Sequence, residues 1–540
     1  WNVPGKPTAI LVDFKQFLTM QNEILTDFWK KFGVDSLTGN WDYRESALFG
    51  YAAGRVIESF YRFNLEASDK VVAQFHEWMT GTGLLYLKSK NVPVATVFTT
   101  HATVIGRCIA GNNLPLYDGI LGYNADEKAR HFNVVARHSL EKKAALNSDI
   151  FTTVSDITAQ ECRQFLGRPV DVVTPNGFEP SFTPATDEEY DALRERARKK
   201  LMTVASAMCG EEVPENTILV GIGGRYEWKN KGIDVFIDAL DKLNHTDFKG
   251  KCVHAFIMIP SGHNGPDKQL LAKLAGNGSG YVTRTSHYLM NPEYDNVTRR
   301  LNDLHLNNAA GDKVKVYFIP SYLNGNDGIF NMPYYDMLAG ADLSIFASYY
   351  EPWGYTPLES VAYGVPTVTT TLAGFGLWIA KHSAHEGVDI VRRDDYNERE
   401  VVFQITEIVK RYLQMDAEAM SEAREGAQEM SKTALWKKLF KEYMSAYEEA
   451  LDNSVSRTNR VLIDGGDRQS QINFVRQQLT SNRPSWHRLM VEKGIPERLK
   501  ALEELSRNLW WCWTASARDL FESVDSELWV KVDRNPIVLL

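Results

Sequence analysis

The sequence predicts an α/β protein made of two doubly wound parallel-sheet domains, with a helical fragment at its C-terminal end. Three observations predict it. Short β-prone runs alternate with helical patterns through both halves of the chain, as in parallel sheets covered on both faces. Polar and glycine-containing clusters follow the strand candidates, where ligands sit in such sheets. The 540 residues suffice for roughly three to four domain-sized units with large cores.

Composition narrows the class. A hydrophobic share of 44% and a charged share of 24% are those of soluble globular protein. The net charge of −9 argues against nucleic acid or an anionic membrane as main partner. Cys108, Cys162, Cys209, Cys252 and Cys512 are scattered, with no C-x-x-C pair, so reduced cytosolic thiols are expected rather than disulfides or a zinc site. No apolar run reaches transmembrane length and no signal peptide opens the chain, so a cytoplasmic location is expected. The chain begins at Trp1 without a methionine and is read as a fragment.

In the first half, 1–184, the strand candidates are Thr8–Val12, Lys70–Phe75, Val92–Thr100, Asp149–Val154 and Val170–Thr174. Helical periodicity marks Glu45–Phe60 and Thr158–Leu166, and Thr158 with Glu161 has capping-box spacing. Three strand ends carry polar clusters: Phe75-His76-Glu77-Trp78, His101 through Gly106-Arg107, and Pro175-Asn176-Gly177. Alone, His101 also fits a satisfied core histidine and Arg107 an ordinary surface cation.

A charged helical linker spans 185–215, and a second strand–helix series spans 216–410. Its strands are Thr217–Gly221, Cys252–Ile259, Val314–Ile319, Ala341–Ala347, Pro366–Thr370 and Gly387–Val391, with an amphipathic helix at Ile233–Leu243. Gly223-Gly224-Arg225-Tyr226-Glu227-Trp228-Lys229-Asn230-Lys231-Gly232 follows the first strand. Arg225 offers a planar fork of donors and Lys231 a point charge, a pair able to neutralise a pyrophosphate. The loop fits neither Walker A nor G-x-G-x-x-G, which takes support from nucleotide hydrolysis and dinucleotide binding. Residues 261–313 read as surface loops and helices.

The chain centres on Tyr349-Tyr350-Glu351-Pro352-Trp353-Gly354-Tyr355-Thr356-Pro357-Leu358-Glu359. A buried strand precedes it and a helix follows, with Pro357 suited to the first turn. Such a turn presents free N–H groups and a positive dipole end to a phosphate, framed here by two carboxylates.

This stretch, with the clusters above and Thr369-Thr370-Thr371-Leu372-Ala373-Gly374-Phe375-Gly376, resembles the glycogen synthases of the animal and fungal type. The resemblance implies the GT-B fold, in which two Rossmann-like domains face a cleft. It also implies retaining transfer of glucose from a nucleoside diphosphate glucose to the 4-hydroxyl end of an α-1,4-glucan. On the same basis Glu351 and His101 serve the transferred sugar. Arg107, Asn176, Arg225, Lys231, Trp353, Gly354, Tyr355 and Glu359 serve the donor, with Glu359 on the ribose. Tyr334 stands where relatives stack a tyrosine on the base, and buried aromatic packing is the alternative. No metal and no cofactor is expected for the transferase. Self-association is left open. A non-catalytic glucan-binding protein of the same fold is an alternative function.

Two departures from the resemblance matter. Relatives have a glycine-rich loop before the first strand that closes over the donor sugar, and none precedes Thr8–Val12. Little activity is therefore expected of the 540-residue chain by itself, and full turnover by it would contradict this. After the helical patterns Glu398–Leu413 and Ala417–Leu451, which end a unit at 411–455 expected to cross back to the first domain, comes a linker at 456–485. Residues 486–540, with Ile495-Pro496-Glu497 and Asn508-Leu509-Trp510-Trp511-Cys512-Trp513, resemble the opening of bacterial-type α-glucan phosphorylases. A synthase–phosphorylase fusion would follow, with pyridoxal phosphate only if a phosphorylase domain lies beyond Leu540, and phosphorolysis is then the other alternative function. The second departure is the acidic run Ser421–Glu429, where eukaryotic relatives bear an arginine cluster that senses sugar phosphate. We predict no activation by glucose 6-phosphate. Paired assays with and without that ligand check this, and several-fold stimulation would contradict it.

Overall fold

A computed structural model describes residues 6–464, apart from 66–68, 247, 249–250, 279 and 383–385. The expected phosphorylase-like stretch and most of its linker lie outside the described residues.

Two parallel sheets form the frame. The first has the order β1-β2-β3-β4, from β1 (Val72–His76), β2 (Ala95–Thr100), β3 (Ile150–Thr153) and β4 (Val172–Val173). The second is built from β5 (Ile218–Gly223), β6 (Val253–Met258), β9 (Val314–Ile319), β10 (Leu343–Ile345), β11 (Thr367–Thr370) and β12 (Val388–Val391). Its order is β12-β11-β10-β5-β6-β9, so the winding reverses between β5 and β10. Ligands bind doubly wound sheets at such a switch point. A small antiparallel pair, β7 (His263–Pro266) with β8 (His287–Leu289), lies within the stretch expected to be loops and helices only.

The apolar runs form the sheets because both faces are covered. β2, β3, β5, β6, β9, β10 and β11 are buried along their whole length. Thr8–Val12 is the exception: residues 6–14 form no strand, and Leu11 is 92% exposed. A β-prone run pairs only where a neighbouring strand offers an edge, and here Val12 and Phe14 pack against the first core instead.

Three further expectations change. The helix Asp156–Leu166 is capped by Ser155, whose side chain accepts from the Thr158 N–H, so Thr158 and Glu161 form no capping box. The pattern Ala417–Leu451 splits into Ala417–Thr433 and Trp436–Asp464. The break has no glycine or proline to cause it. Phe178 N–H donates to Ala434 O at 2.8 Å and Trp436 N–H to Phe178 O at 3.1 Å, so pairing across the chain overrides helix propensity. The second helix runs on to Asp464, past the expected linker start at 456, and no glycine or proline interrupts it. It crosses back onto the first sheet, where Ala446 and Ala450 pack with Ala95, Val97 and Ile150.

The two lobes meet through a shared core. Ile105, Ile109, Leu116, Ile157 and Phe165 of the first pack with Tyr349, Tyr350 and Leu372 of the second. Asp395 closes this contact by accepting N–H groups from Leu116, Tyr117 and Asp118 at 3.1, 3.2 and 2.8 Å. At the switch point, Gly232 has φ +71°, and a Cβ there would overlap the Ala347 carbonyl oxygen. We predict that Gly232→Ala destabilises the fold by roughly 2 kcal/mol or more, read as a lower urea midpoint with an unchanged slope.

Candidate active site

Two loops at the switch point interlock. The loop after β5 places the Asn230 carbonyl to accept from Tyr349 and Tyr350 N–H at 3.0 and 3.2 Å. The turn after β10 is held from the other side by the next loop. Gly374 N–H donates to Glu351 O at 2.9 Å and Phe375 N–H to Trp353 O at 2.7 Å. The Gly374–Ala380 helix can begin there because a Cβ on Gly374 would overlap the Pro352 oxygen. Gly354 caps the helix Tyr355–Ala362 at φ +112°, a conformation that favours glycine.

The outcome is an ion pair between Lys231 and Glu351, each side chain 12% exposed. Gly354 lies against Glu351, where a Cβ would stand 3.3 Å from Glu351 Cγ. Glu359, one helical turn on, accepts from the Tyr335 hydroxyl at 2.9 Å, and burial pushes its carboxyl up to about 7. Tyr355 is exposed at the helix start. The Tyr334 ring packs under Gly223 and its hydroxyl is buried with no hydrogen-bond partner among the described residues, while Tyr335 is exposed and stacks on Tyr363.

Arg225 sits on the same loop as Lys231, yet its side chain is 68% exposed and pairs with Glu227 at 2.9 Å. Trp353 lies deeper than Glu351 and Tyr355 of the same motif. Its indole is buried, edge-on to Phe375 and Trp378, because the apolar face of the turn needs filling. Its ring packs with the core, and its Nε1 has no hydrogen-bond partner among the described residues.

The first lobe supplies the opposite wall. His101 Nε2 lies 2.9 Å from His76 Nδ1 and the rings stack. Burial and the neighbouring imidazole lower His101 to about 4, so it is neutral near pH 7. The Glu77 carboxylate accepts N–H groups of His101 and Ala102 at 2.8 and 3.2 Å, fixing the end of β2. Arg107, exposed on the helix Val104–Gly111, faces Glu77, Glu161 and Tyr350 closely enough for its charge to lower each of their proton affinities. Asn176 is buried beside Tyr443 of the crossing helix, and Gly177 lets the Trp436 backbone approach: a Cβ there would lie 2.5 Å from Trp436 Cα.

Thus Lys231, Glu351 and Gly354 meet directly, with Tyr334, Tyr355 and Glu359 on one flank and Arg107 across the lobe contact. His101 is tied to His76, and Asn176 to the crossing helix. Sequence reasoning missed Tyr335, which directly follows Tyr334. It also missed Asp395, which no local pattern signals.

A family model described as glycogen synthase matches residues 1–275 and 267–504.

The chain belongs to the glycogen synthase family.

Glycogen [starch] synthase of Neurospora crassa is 30% identical over 514 residues, covering 84% of this chain and 72% of that one. Isoform 2 of Saccharomyces cerevisiae is 28% identical, covering 84% and 74%. The liver enzyme of Rattus norvegicus is 27% identical, covering 83% and 71%. Among solved structures, the catalytic domain of starch synthase IV from Arabidopsis thaliana, bound to ADP and acarbose, has a TM-score of 0.48 at 16% identity and covers 77% of this chain and 78% of that one. Residues 495–540 match a model described only as a protein of unknown function. The glycogen synthase family is one of glycosyltransferases, and the two parallel-sheet lobes have the GT-B architecture.

A carboxyl whose affinity for protons rises on folding adds stability below its unfolded value, and that stability is lost as pH rises through the folded value. For Glu359 the loss falls between about 4.5 and about 7. We predict that Glu359→Gln lessens the fall in stability across this window by up to roughly 3 kcal/mol. Urea titrations at a series of pH values measure it, and parallel curves for the two proteins would contradict it.

Proposed function

We propose that this glycogen synthase relative transfers glucose, with retention, from a nucleoside diphosphate glucose to the 4-hydroxyl end of an α-1,4-glucan. The observation that carries the reading is the Lys231–Glu351 ion pair at the switch point, beside the start of the helix Tyr355–Ala362. A lysine ammonium has three donors, so Lys231 keeps Glu351 with one and offers the others to the diphosphate. N–H groups at Gly354–Thr356 and the helix dipole add positive potential there. Arg107 and Arg225 supply further charge. Arg225 must exchange Glu227 for the donor, a small cost at an exposed pair.

Charge grows on the leaving phosphate as the glycosidic bond breaks, so fixed cations count more in the transition state than in the ground state. Glu351 orients the sugar and stabilises the positive charge at its ring. The leaving phosphate takes the acceptor proton. Neutral His101 offers hydrogen bonds to sugar hydroxyls without adding charge. Glu359, oriented by Tyr335, accepts from the ribose hydroxyls. Tyr334 borders the place for the base. Metal independence and the absence of a resident cofactor belong to the same proposal. Among the described residues no helix is long and apolar enough to cross a membrane. A cytoplasmic location is part of the proposal.

The test is a donor assay on the full-length protein, comparing UDP-glucose with ADP-glucose on a glycogen primer. Transfer from at least one is expected, and Glu351→Ala should lower kcat by about a hundredfold or more. A glucan-binding protein without catalysis would transfer from neither donor and be indifferent to the substitution.

A further inference from the structure

Glu161 stands on the helix Asp156–Leu166 of the first lobe with no exposed surface. Its Oε2 accepts two hydroxyls from opposite sides of the lobe contact. Thr103 Oγ1 donates from 2.6 Å and the Tyr350 hydroxyl from 3.3 Å. Thr103 is the N-cap of the helix Val104–Gly111, its Oγ1 accepting from Gly106 N–H at 3.0 Å, and that helix carries Arg107. Tyr350 immediately precedes Glu351. One carboxylate oxygen therefore joins the arginine-bearing helix of one lobe to the acidic turn of the other. The fit is close, since a Cβ on Gly106 would overlap Oε2. The other oxygen, Oε1, is buried with no hydrogen-bond partner among the described residues.

We propose that Glu161 is a positioning residue for glucosyl transfer, setting the register between the Arg107 guanidinium and the Glu351 carboxylate across the cleft. The inference rests on the function proposed above. An ionised Oε2 holds the Thr103 and Tyr350 hydroxyls more strongly than a neutral acid or amide oxygen does, and its charge also attracts Arg107. Burial pushes Glu161 up to about 7, against the pull of the Thr103 and Tyr350 hydroxyls and of Arg107. Glu141, Tyr117 and Cys162 also face it. The register therefore weakens as pH falls through neutrality.

The test compares Glu161→Gln, Tyr350→Phe and the double variant in the full-length protein, with a nucleoside diphosphate glucose and a glucan primer. Each single variant should lower kcat by about tenfold with donor KM changed less than about twofold. The double variant should be no worse than either single one. Glu161→Gln should also flatten the acid limb of the kcat profile. Lower thermal stability with unchanged kcat and pH profile overturns the proposal. If Glu161→Gln does not fold, Tyr350→Phe decides, since it removes one oxygen from the far lobe: an unchanged kcat overturns the proposal. Should the parent transfer from neither donor, the function proposed above fails by itself. Hydrogen exchange then tests the register: faster exchange across Val104–Gly111 in Tyr350→Phe supports it, and unchanged protection overturns it.

Discussion

The site is organised by one ion pair, Lys231 with Glu351, held where the second sheet reverses its winding. Neither charge is free to turn toward bulk water, since both side chains are nearly enclosed. Partly buried charges are costly unless paired, and the pair sits on backbone that is itself pinned. Asn230 holds the turn from one side and Gly374 and Phe375 from the other. Arg393 donates to the Ala347 carbonyl just below, where Gly232 leaves room. The fold thus fixes opposite charges in contact at the mouth of a cleft. That arrangement suits a reaction that separates a sugar cation from a phosphate.

The rest of the cleft follows from how the lobes are joined. The first sheet contributes no strand to the second, so the register between them depends on a few polar contacts around a shared core. Asp395 gathers three consecutive N–H groups of the first lobe, Ser155 donates to the Pro352 oxygen at 2.5 Å, and Lys381 pairs with Asp156. The crossing helix Trp436–Asp464 then returns the chain to the first sheet. Carboxyls cluster at this join: Glu141 and Glu161 are buried and Glu77 is half-buried, and desolvation raises the proton affinity of all three. Their hydrogen bonds go to backbone and hydroxyl groups around the start of the Val104–Gly111 helix.

Much of this was legible in the sequence because the signals were local. Val314–Ile319 and Ile233–Leu243 follow hydrophobic pattern alone, and the structure returns β9 with the same bounds and the helix within one residue. The turn from Tyr349 to Glu359 was legible because glycine and proline fix its backbone. What stayed hidden was set at a distance. Thr8–Val12 has strand composition but no strand beside it. The break at Ala434 depends on Phe178, far away in sequence. Trp353 read as a cleft residue from its place in the motif, whereas packing with Phe375 and Trp378 assigns its ring to the core. Glu161 had the spacing of a cap, but spacing cannot show that Ser155 takes that place or that Tyr350 approaches from the other lobe.

In the proposed function, fixed cations at the switch point grip a diphosphate. Calorimetric titration of a nucleoside diphosphate into the parent and into Lys231→Ala measures that grip. Binding should weaken by about tenfold to a hundredfold in the variant, with a smaller salt dependence than the parent shows. Equal affinity and equal salt dependence in the two proteins would contradict it.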